Sequence, residues 1–363
     1  MRSPRLRRAL AALLALPVAL GVALLPGGSA AASSARAPQS ERQVTVMTRN
    51  LYLGADLTPL VLARTPAEVN AAVATILGHV IASDPPQRMA WVADEIAARH
   101  PDAVGLQEAA LWQIHLPSGA TVTYDFVQLL LDALAARGLH YRVAVEQDNF
   151  DSGTQLAGAP LPARFVDRDA ILVDMADTTS QLRVLATGGA HYASQLTFPT
   201  LLGPVDFERG YVWADLKTRG KQWRFADTHF EAYPGFGATP RDFTSEQAAE
   251  LAAALAGPLP TVLVGDLNSS AGDPLRQGYS VLIGAGFTDA WTALRPGDPG
   301  YSCCRDDDLA DGVLHERIDD VLYKGLVTPV AIDLVGVAPR RDTPPRWPSD
   351  HAGVVATLAI GKE

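Results

Sequence analysis

The sequence contains very little cysteine, and its two cysteines, Cys303 and Cys304, are neighbours. Adjacent cysteines cannot cross-link distant elements, so disulfides do not hold the fold together. Zinc needs more sulfur or nitrogen ligands than this pair supplies, and none follow at a recognisable spacing. We favour a disulfide between the two residues, which would stiffen one loop, over two free thiols.

Several motifs that identify enzyme classes are also absent. The chain has no glycine-rich phosphate loop and no Gly-x-Ser-x-Gly nucleophile motif. It has no repeat at the period of solenoid proteins, and no charge run or linker divides its body. These absences disfavour three classes of protein: those with a common nucleotide-binding loop, serine hydrolases with a nucleophile elbow, and repeat proteins.

The first 36 residues differ from the rest of the chain. Four arginines precede an Ala/Leu/Val run at residues 9–25, and small residues follow at 27–32. This order predicts a secretory signal peptide with a disordered start over residues 1–36. A transmembrane anchor is the alternative, since the run is nearly long enough to span a bilayer. The small-residue tail and the lack of a basic flank favour cleavage, so we expect a secreted protein without a stable membrane anchor.

Basic residues are scarce once this leader is removed. Loss of four of the 30 basic residues leaves 26 against 40 acidic ones, a net charge near −14. Such a chain has no broad basic footprint for a polynucleotide, although a local patch and bound cations would still permit one. The many carboxylates also suit a divalent metal.

One stretch, residues 260–268, is the point around which the rest is organised. Residues 261–264 read as a buried strand that stops at Gly265, and Asp266 and Asn268 follow at once. Buried strands deliver functional groups from their carboxyl ends, and residues two apart in an extended segment point the same way. An ordinary Asx turn is the alternative for this pair.

Strands dominate the remainder, with helices between them. The pattern predicts a mixed, largely antiparallel two-layered sheet flanked by helices. The predicted strands lie at 43–48, 103–106, 141–146, 169–173, 181–186, 210–217, 222–227, 261–264, 318–323, 328–335 and 353–359, and the predicted helices at 65–83, 87–99, 124–137 and 243–256.

Polar residues recur where these strands end. Each has an ordinary structural explanation, such as a helix cap or a core histidine, but the set as a whole indicates a site. Carboxylates with amides are hard oxygen ligands for Mg²⁺ or Ca²⁺. Two histidines near carboxylates suit a general base and a general acid. The set is Asn50, Glu108, His229, Asp266, Asn268, Asp319, Asp350 and His351.

The motifs that carry these residues resemble the endonuclease/exonuclease/phosphatase superfamily, the fold of DNase I, repair nucleases, inositol polyphosphate phosphatases and bacterial sphingomyelinases. They are Thr-Arg-Asn at 48–50, Leu-Gln-Glu at 106–108, Asp-Thr-His at 227–229, Gly-Asp-Leu-Asn at 265–268, Arg-Ile-Asp at 317–319 and Ser-Asp-His at 349–351. The resemblance implies a four-layered α/β sandwich in which two packed sheets are flanked by helices. Because the site draws on both ends of the chain, it also implies one catalytic domain over residues 43–360.

The resemblance further implies a role for each residue. Glu108 would be the principal Mg²⁺ ligand, with Asn50 beside it and Asp350 at or near the metal; Ca²⁺ or Mn²⁺ would also fit. Asp266 and Asn268 would bind phosphate and orient water. The remaining three would be the general base His351, its orienting carboxylate Asp319, and His229, which would stabilise phosphate or protonate the leaving oxygen.

The implied function is a secreted, divalent-metal-dependent phosphodiesterase or phosphatase, either DNase-like or similar to a sphingomyelinase or phospholipase C. Its partner would be a phosphoester, either a nucleic acid or a lipid headgroup, and no protein partner is implied. The alternative is a non-catalytic extracellular binding protein on the same scaffold. One departure is Arg168-Asp169, where many members have Asn-Gly; we interpret this pair as part of a local salt bridge rather than a phosphate contact.

Overall fold

The computed structural model describes residues 43–153, 155–156, 159–160, 162–175, 182–201, 203–234 and 240–361. The predicted signal peptide at 1–36 lies outside the described residues, so its cleavage stays a prediction. The described residues all belong to one compact unit. Among the described helices, none combines the length and the apolar character needed to cross a bilayer.

The described chain contains eighteen strands and seven helices. The strands are β1 Gln43–Asn50, β2 Ala103–Gln107, β3 Leu111–His115, β4 Thr121–Asp125, β5 Tyr141–Asp151, β6 Gln155–Leu156, β7 Ala159–Pro160, β8 Ala163–Asp174, β9 Arg183–His191, β10 Leu196–Thr200, β11 Gly203–Phe207, β12 Gly210–Thr218, β13 Lys221–His229, β14 Thr261–Asp266, β15 Thr288–Asp289, β16 Asp319–Lys324, β17 Val327–Val335 and β18 Gly353–Ile360. The helices are α1 Thr58–Leu62, α2 Pro66–Ala82, α3 Pro85–Arg99, α4 Phe126–Ala135, α5 Phe243–Ala254, α6 Gly278–Gly284 and α7 Ala290–Leu294.

Two large sheets organise these elements. The first has the order β17-β18-β1-β2-β8-β3-β4, with β5 also paired to β8, and the second has the order β15-β16-β14-β13-β12-β9. Most pairs are antiparallel, but β1 with β2 and β13 with β14 are parallel. Parallel neighbours end at the same edge, so these two pairs place four carboxyl ends where a site can form.

Three apolar cores give the molecule its four layers. Val46, Ile171 and Val264 belong to the core between the two sheets. A second core packs α2, α3 and α4 on the outer face of the first sheet, and a third packs α5 and α6 on the outer face of the second. The four-layered sandwich expected from the resemblance is therefore confirmed.

The differences from the predicted elements are local. The predicted helix at 124–137 begins at Phe126, because Tyr124 pairs with Trp112 in a β3–β4 hairpin and the Asp125 side chain caps the helix. The stretch 147–164, predicted as a surface loop, instead extends β5 to Asp151 and begins β8 at Ala163, because cross-strand pairing overrides its polar composition.

Candidate active site

The predicted residues meet where the edges of the two sheets face each other. Asn50 ends β1 and Glu108 directly follows β2 in the first sheet. In the second sheet, His229 ends β13 and pairs in register with Asp266, the last residue of β14, which in turn lies opposite Asp319. Strand register therefore fixes the second half of the site.

Gly265 allows this close pairing. Its φ is +149°, and a Cβ at this position would lie 2.0 Å from the Thr228 carbonyl oxygen. Any other residue would push β13 away from β14 and separate His229 from Asp266.

A cavity of about 520 Å³ opens at this edge. Glu108, His229, Asp266, Asn268, Asp350 and His351 all line it. Asn50 and Asp319 do not line the cavity, but they hydrogen-bond to residues that do. The eight predicted residues thus form one connected group rather than scattered positions.

His351 and Asp319 form a buried dyad. The imidazole Nδ1 of His351 donates to Asp319 Oδ2 at 2.8 Å. This bond leaves His351 Nε2 facing Asp266 Oδ2 at 3.8 Å and Asp350 Oδ1 at 4.0 Å. Burial by itself lowers the pKa of His351, but the carboxylates of Asp319 and Asp350 raise this pKa well above its usual range. Nε2 is therefore the atom that can exchange a proton with a group in the cavity.

Glu108 is held between backbone and amide donors. Its Oε2 accepts from Leu53 N at 2.7 Å, and its Oε1 accepts from Asn50 Nδ2 at 3.2 Å. Burial, together with repulsion from Asp350 and Asp167, raises the pKa of Glu108 to about 8. Its φ is +53°, an uncommon conformation outside glycine that turns this side chain into the cavity.

Asn50 orients the two neighbouring carboxylates. Its amide also donates to Asp266 Oδ2 at 3.0 Å, while its Oδ1 accepts from Tyr52 N at 2.9 Å. Because the oxygen is taken by the backbone, Asn50 presents its amide nitrogen toward the carboxylates. Its predicted role as a metal ligand stays a prediction; the structure shows it as a donor.

Asp266 and Asn268 do not act as two parallel side chains. Asn268 N donates to Asp266 Oδ1 at 2.9 Å, and Asn268 Nδ2 donates to Phe230 O at 2.9 Å. This is the Asx-type turn considered as the alternative, and it lies inside the cavity, so the two interpretations coexist. Burial, offset in part by His351, raises the pKa of Asp266 to about 6.

His229 has a partner that sequence reasoning missed. Arg209 Nη1 donates to His229 Nδ1 at 3.0 Å, which places the proton of the neutral ring on Nε2, and Nε2 lies 3.6 Å from Asp266 Oδ2. Burial and the positive charge of Arg209 lower the pKa of His229 well below its usual range. His229 is therefore a neutral donor in this structure. The feature that could have revealed this partner is the β12–β13 hairpin. Gly210 lies opposite His229 in register, so the preceding residue, Arg209, lies next to His229.

Replacing Arg209 by lysine tests this pairing. A lysine keeps the charge but loses the planar fork that fixes the His229 tautomer, so we expect kcat on a soluble phosphodiester to fall about 10- to 100-fold. The ¹⁵N shifts of the His229 ring should show loss of the single Nε2–H tautomer. Arg164→Lys, in an ion pair with Asp151 on the surface, is the matched control. Unchanged shifts and kcat in Arg209→Lys would contradict the assignment.

The two cysteines lie at the site. They form a disulfide, and Cys303 Sγ lies 3.5 Å from His351 Nε2. Next to the cysteines, Ser302 O accepts a hydrogen bond from Ala352 N, and Arg305 Nη1 donates to His351 O. The predicted loop staple is confirmed, and it buttresses the His351 segment. Arg168 forms ion pairs with Asp125 and Glu146, whereas Asp169 accepts from Asn149 Nδ2, so Arg168 is held by salt bridges but not by its neighbour Asp169.

The site's chemistry fits a divalent cation. Oxygen donors from Glu108, Asp266 and Asp350 line one cavity, and burial, together with repulsion from neighbouring carboxylates, raises the pKa of Glu108 and of Asp266. A cation among them would offset that repulsion. Ligand atoms of Asp266, Asp319 and His351 also lie within 4.8 Å of one another. Asp319 already accepts the His351 proton, and carboxylate oxygens such as those of Glu108, Asp266 and Asp350 are the ligand type that Mg²⁺ prefers.

Comparison with known proteins agrees with this geometry. The model of the endonuclease/exonuclease/phosphatase family matches residues 80–351. The chain belongs to this family. Members of the endonuclease/exonuclease/phosphatase family are hydrolases that act on phosphoesters and generally depend on a divalent metal. A search of curated proteins finds no sequence that matches the chain.

Solved structures of other family members share its fold. A family protein from Beutenbergia cavernae is 21% identical over 88% of this chain and 72% of its own, with a TM-score of 0.55. A mannosyl-6-phosphatase from Bacteroides thetaiotaomicron is 16% identical over 87% and 99%, with a TM-score of 0.52. TDP2 of D. rerio, solved with a single-strand DNA product, is 15% identical over 87% and 98%, with a TM-score of 0.51.

Proposed function

We propose that the chain is an exported, divalent-metal-dependent phosphodiesterase that cleaves a P–O bond by in-line attack of water. The observation that carries this proposal is the buried His351–Asp319 dyad, which faces Asp266 across a cavity that Glu108 and His229 also line. A base, a neutral donor and an oxygen-rich metal set are the parts that phosphoester hydrolysis needs.

Each residue has a distinct task in this proposal. A bound cation would offset the carboxylates that raise the pKa of His351, so that this ring can accept the proton of the attacking water at Nε2 while Asp319 keeps it oriented. His229 donates its Nε2–H to a phosphoryl oxygen, which its neutral state permits. Glu108, Asp350 and Asp266 would hold the cation, which would polarise the phosphoryl oxygen and stabilise developing negative charge.

A non-catalytic binding protein on the same scaffold is the second candidate. It would need neither the buried dyad nor the paired donors to Glu108, and the chain keeps both. The solved relatives include a sugar phosphatase and a protein holding a DNA product. Catalysis on a phosphoester is therefore the better-supported candidate.

The test is hydrolysis of bis(4-nitrophenyl) phosphate by the purified chain. We expect turnover with Mg²⁺ or Mn²⁺, its complete loss with EDTA, and its return when excess metal is added, because the clustered carboxylates need the cation. The His351→Ala variant measured in parallel accounts for contaminating phosphatases. No turnover with Mg²⁺, Mn²⁺ or Ca²⁺ would favour the binding protein.

The same preparation separates nucleic acid from lipid substrates. Plasmid DNA and liposomes of sphingomyelin or phosphatidylinositol are offered in turn, with product measured by gel and by headgroup release. The acidic net charge of the chain disfavours tight binding to a duplex, so we expect headgroup release to be the faster reaction. Faster plasmid cleavage would assign the nuclease branch.

Export rests on the sequence of residues 1–36. Expression of the full chain in a secreting host should place the protein in the medium with a new N-terminus between residues 31 and 37, read by intact mass. A cell-associated protein that keeps residue 1 would contradict export.

A further inference from the structure

A second cavity, of about 90 Å³ and almost entirely apolar, adjoins the catalytic one. Leu57, Val61 and Phe207 line both cavities, so the two lie side by side and share one wall. Of the residues that line the second one, only Ser152 and Thr200 have polar side chains that are not aromatic. We call it the apolar groove.

A row of aromatic rings connects the two cavities. Consecutive ring centroids lie 5.7, 5.5, 4.2, 5.9 and 4.3 Å apart. The first two rings line the catalytic cavity, the third lines both, and the last three line the groove. In order, the row is Tyr233, Phe198, Phe207, Phe150, Phe165 and Trp112. It forms a continuous apolar wall that leads away from His229 and Glu108.

Helices α1 and α2 supply much of the remaining apolar lining. Leu60, Val73, Ile76 and Leu77 face the groove, and none of the five residues of α1 is fully buried. Leu62 and Tyr233, both at the catalytic cavity, are 54% and 42% exposed. An exposed apolar mouth that continues inward as an apolar groove matches a molecule with a long hydrocarbon part.

The charges that line the catalytic cavity also favour a small phosphoester over a polyanion. Seven acidic residues line it, against two cationic ones, Arg209 and Arg276. Arg209 is engaged with His229, and Arg276 pairs with Asp273 and Glu316. A polyanion with many phosphates would find few free cations among these lining residues, whereas a single phosphoester needs only the one cation proposed for this cavity.

We propose that the apolar groove holds the hydrocarbon chain of an amphiphilic phosphoester whose phosphate occupies the catalytic cavity. This inference rests on the proposed hydrolase function and names its substrate class. The groove receives the chain because it opens from the place where the phosphate binds. It therefore selects among phosphoesters by the length of the attached chain.

The test uses 4-nitrophenyl ethyl, butyl and octyl phosphate, each below its critical micelle concentration. Since each methylene moved from water to an apolar site favours binding by about fourfold, we expect kcat/KM for the octyl ester to exceed that for the ethyl ester at least about 100-fold. In Val73→Trp, which fills the groove, this ratio should fall to within about threefold of unity, while the ethyl ester keeps its wild-type rate. Equal rates for the three esters in the wild type would overturn the proposal.

Two measurements make the outcome independent of misfolding and of catalysis. Ala71→Trp places the same side chain on the exposed side of α2, outside the groove, and should keep the full chain-length ratio. Turnover of the ethyl ester by Val73→Trp reports that the fold is intact. If that variant does not fold, Leu77→Trp fills the groove from the next turn.

Binding is read directly by quenching of Trp112. Bromododecyl phosphate, below its micelle concentration, should quench this tryptophan, and the quenching should vanish in Trp112→Phe and Val73→Trp. Quenching without turnover of any ester would retain the groove and reject the hydrolase. Turnover without quenching or a chain-length effect would retain the hydrolase and reject the groove.

Discussion

Replacing His351 by alanine lowers kcat on a soluble phosphodiester by about 10³- to 10⁴-fold, in the range set by loss of a general base. The physical reason is that His351 Nε2 faces the cavity while its other ring nitrogen donates to Asp319 Oδ2 at 2.8 Å. The chain then has no group at this position that can take a proton from water. The measurement is steady-state kinetics at saturating metal, with circular dichroism to show that the fold is unchanged.

Two further variants, a control histidine and the partner carboxylate, are needed to interpret this result. His140→Ala removes an exposed histidine far from the cavity and should leave kcat unchanged. Asp319→Asn keeps the shape of the dyad but removes its charge, and should cost about 100-fold or more because the ring loses its fixed tautomer. A His351→Ala enzyme with kcat within tenfold of the wild type would show that another group is the base.

Replacing Glu108 by glutamine is expected to lower turnover by about 10³-fold, the equivalent of about 4 kcal/mol. The amide matches the carboxylate in size but lacks the charge that holds a cation. Binding also gives a signal without catalysis. For the wild type, Mg²⁺ at about 100 times its Kd should stabilise the protein by about 2.7 kcal/mol, about 5 °C in Tm for a protein of this size. In Glu108→Gln this shift should be largely lost.

The metal-free variant provides an internal check on folding. Glu108 is buried near Asp350 and Asp167, which repel it. Neutralisation removes this repulsion, but the glutamine Nε2 cannot accept from Leu53 N or Asn50 Nδ2, so the unfolding free energy of the metal-free variant is measured separately from the Mg²⁺ shift. The control variant Glu208→Gln changes an exposed side chain and should retain the Mg²⁺-induced increase in Tm. A normal Mg²⁺ shift in Glu108→Gln would place the cation elsewhere.

The sequence alone was sufficient to predict the site residues that lie at the ends of strands. Asp266 and His229 follow short apolar runs, and such runs are local signals that survive in a single sequence. Strand ends of parallel neighbours must lie together, so the convergence of these side chains could be predicted before the fold was known. The four-layered arrangement followed from the resemblance rather than from periodicity.

Other parts of the site depend on contacts that no local pattern encodes. Arg209 precedes a strand like many other arginines, and its role comes from the register that sets Gly210 opposite His229. Cys303 reaches His351 because loop backbone groups bond across to Ala352. The row of aromatic rings comes from six separate stretches, from Trp112 on β3 to Tyr233 after β13, which meet only in the tertiary structure.

The pairing of β1 with β18 has a consequence for biosynthesis. Asn50 and Glu108 are made long before Asp350 and His351, so a growing polypeptide holds only part of the proposed site. In the proposed hydrolase, turnover would arise only once β18 has docked against β1. The appearance of turnover during refolding would therefore report the docking of these two strands.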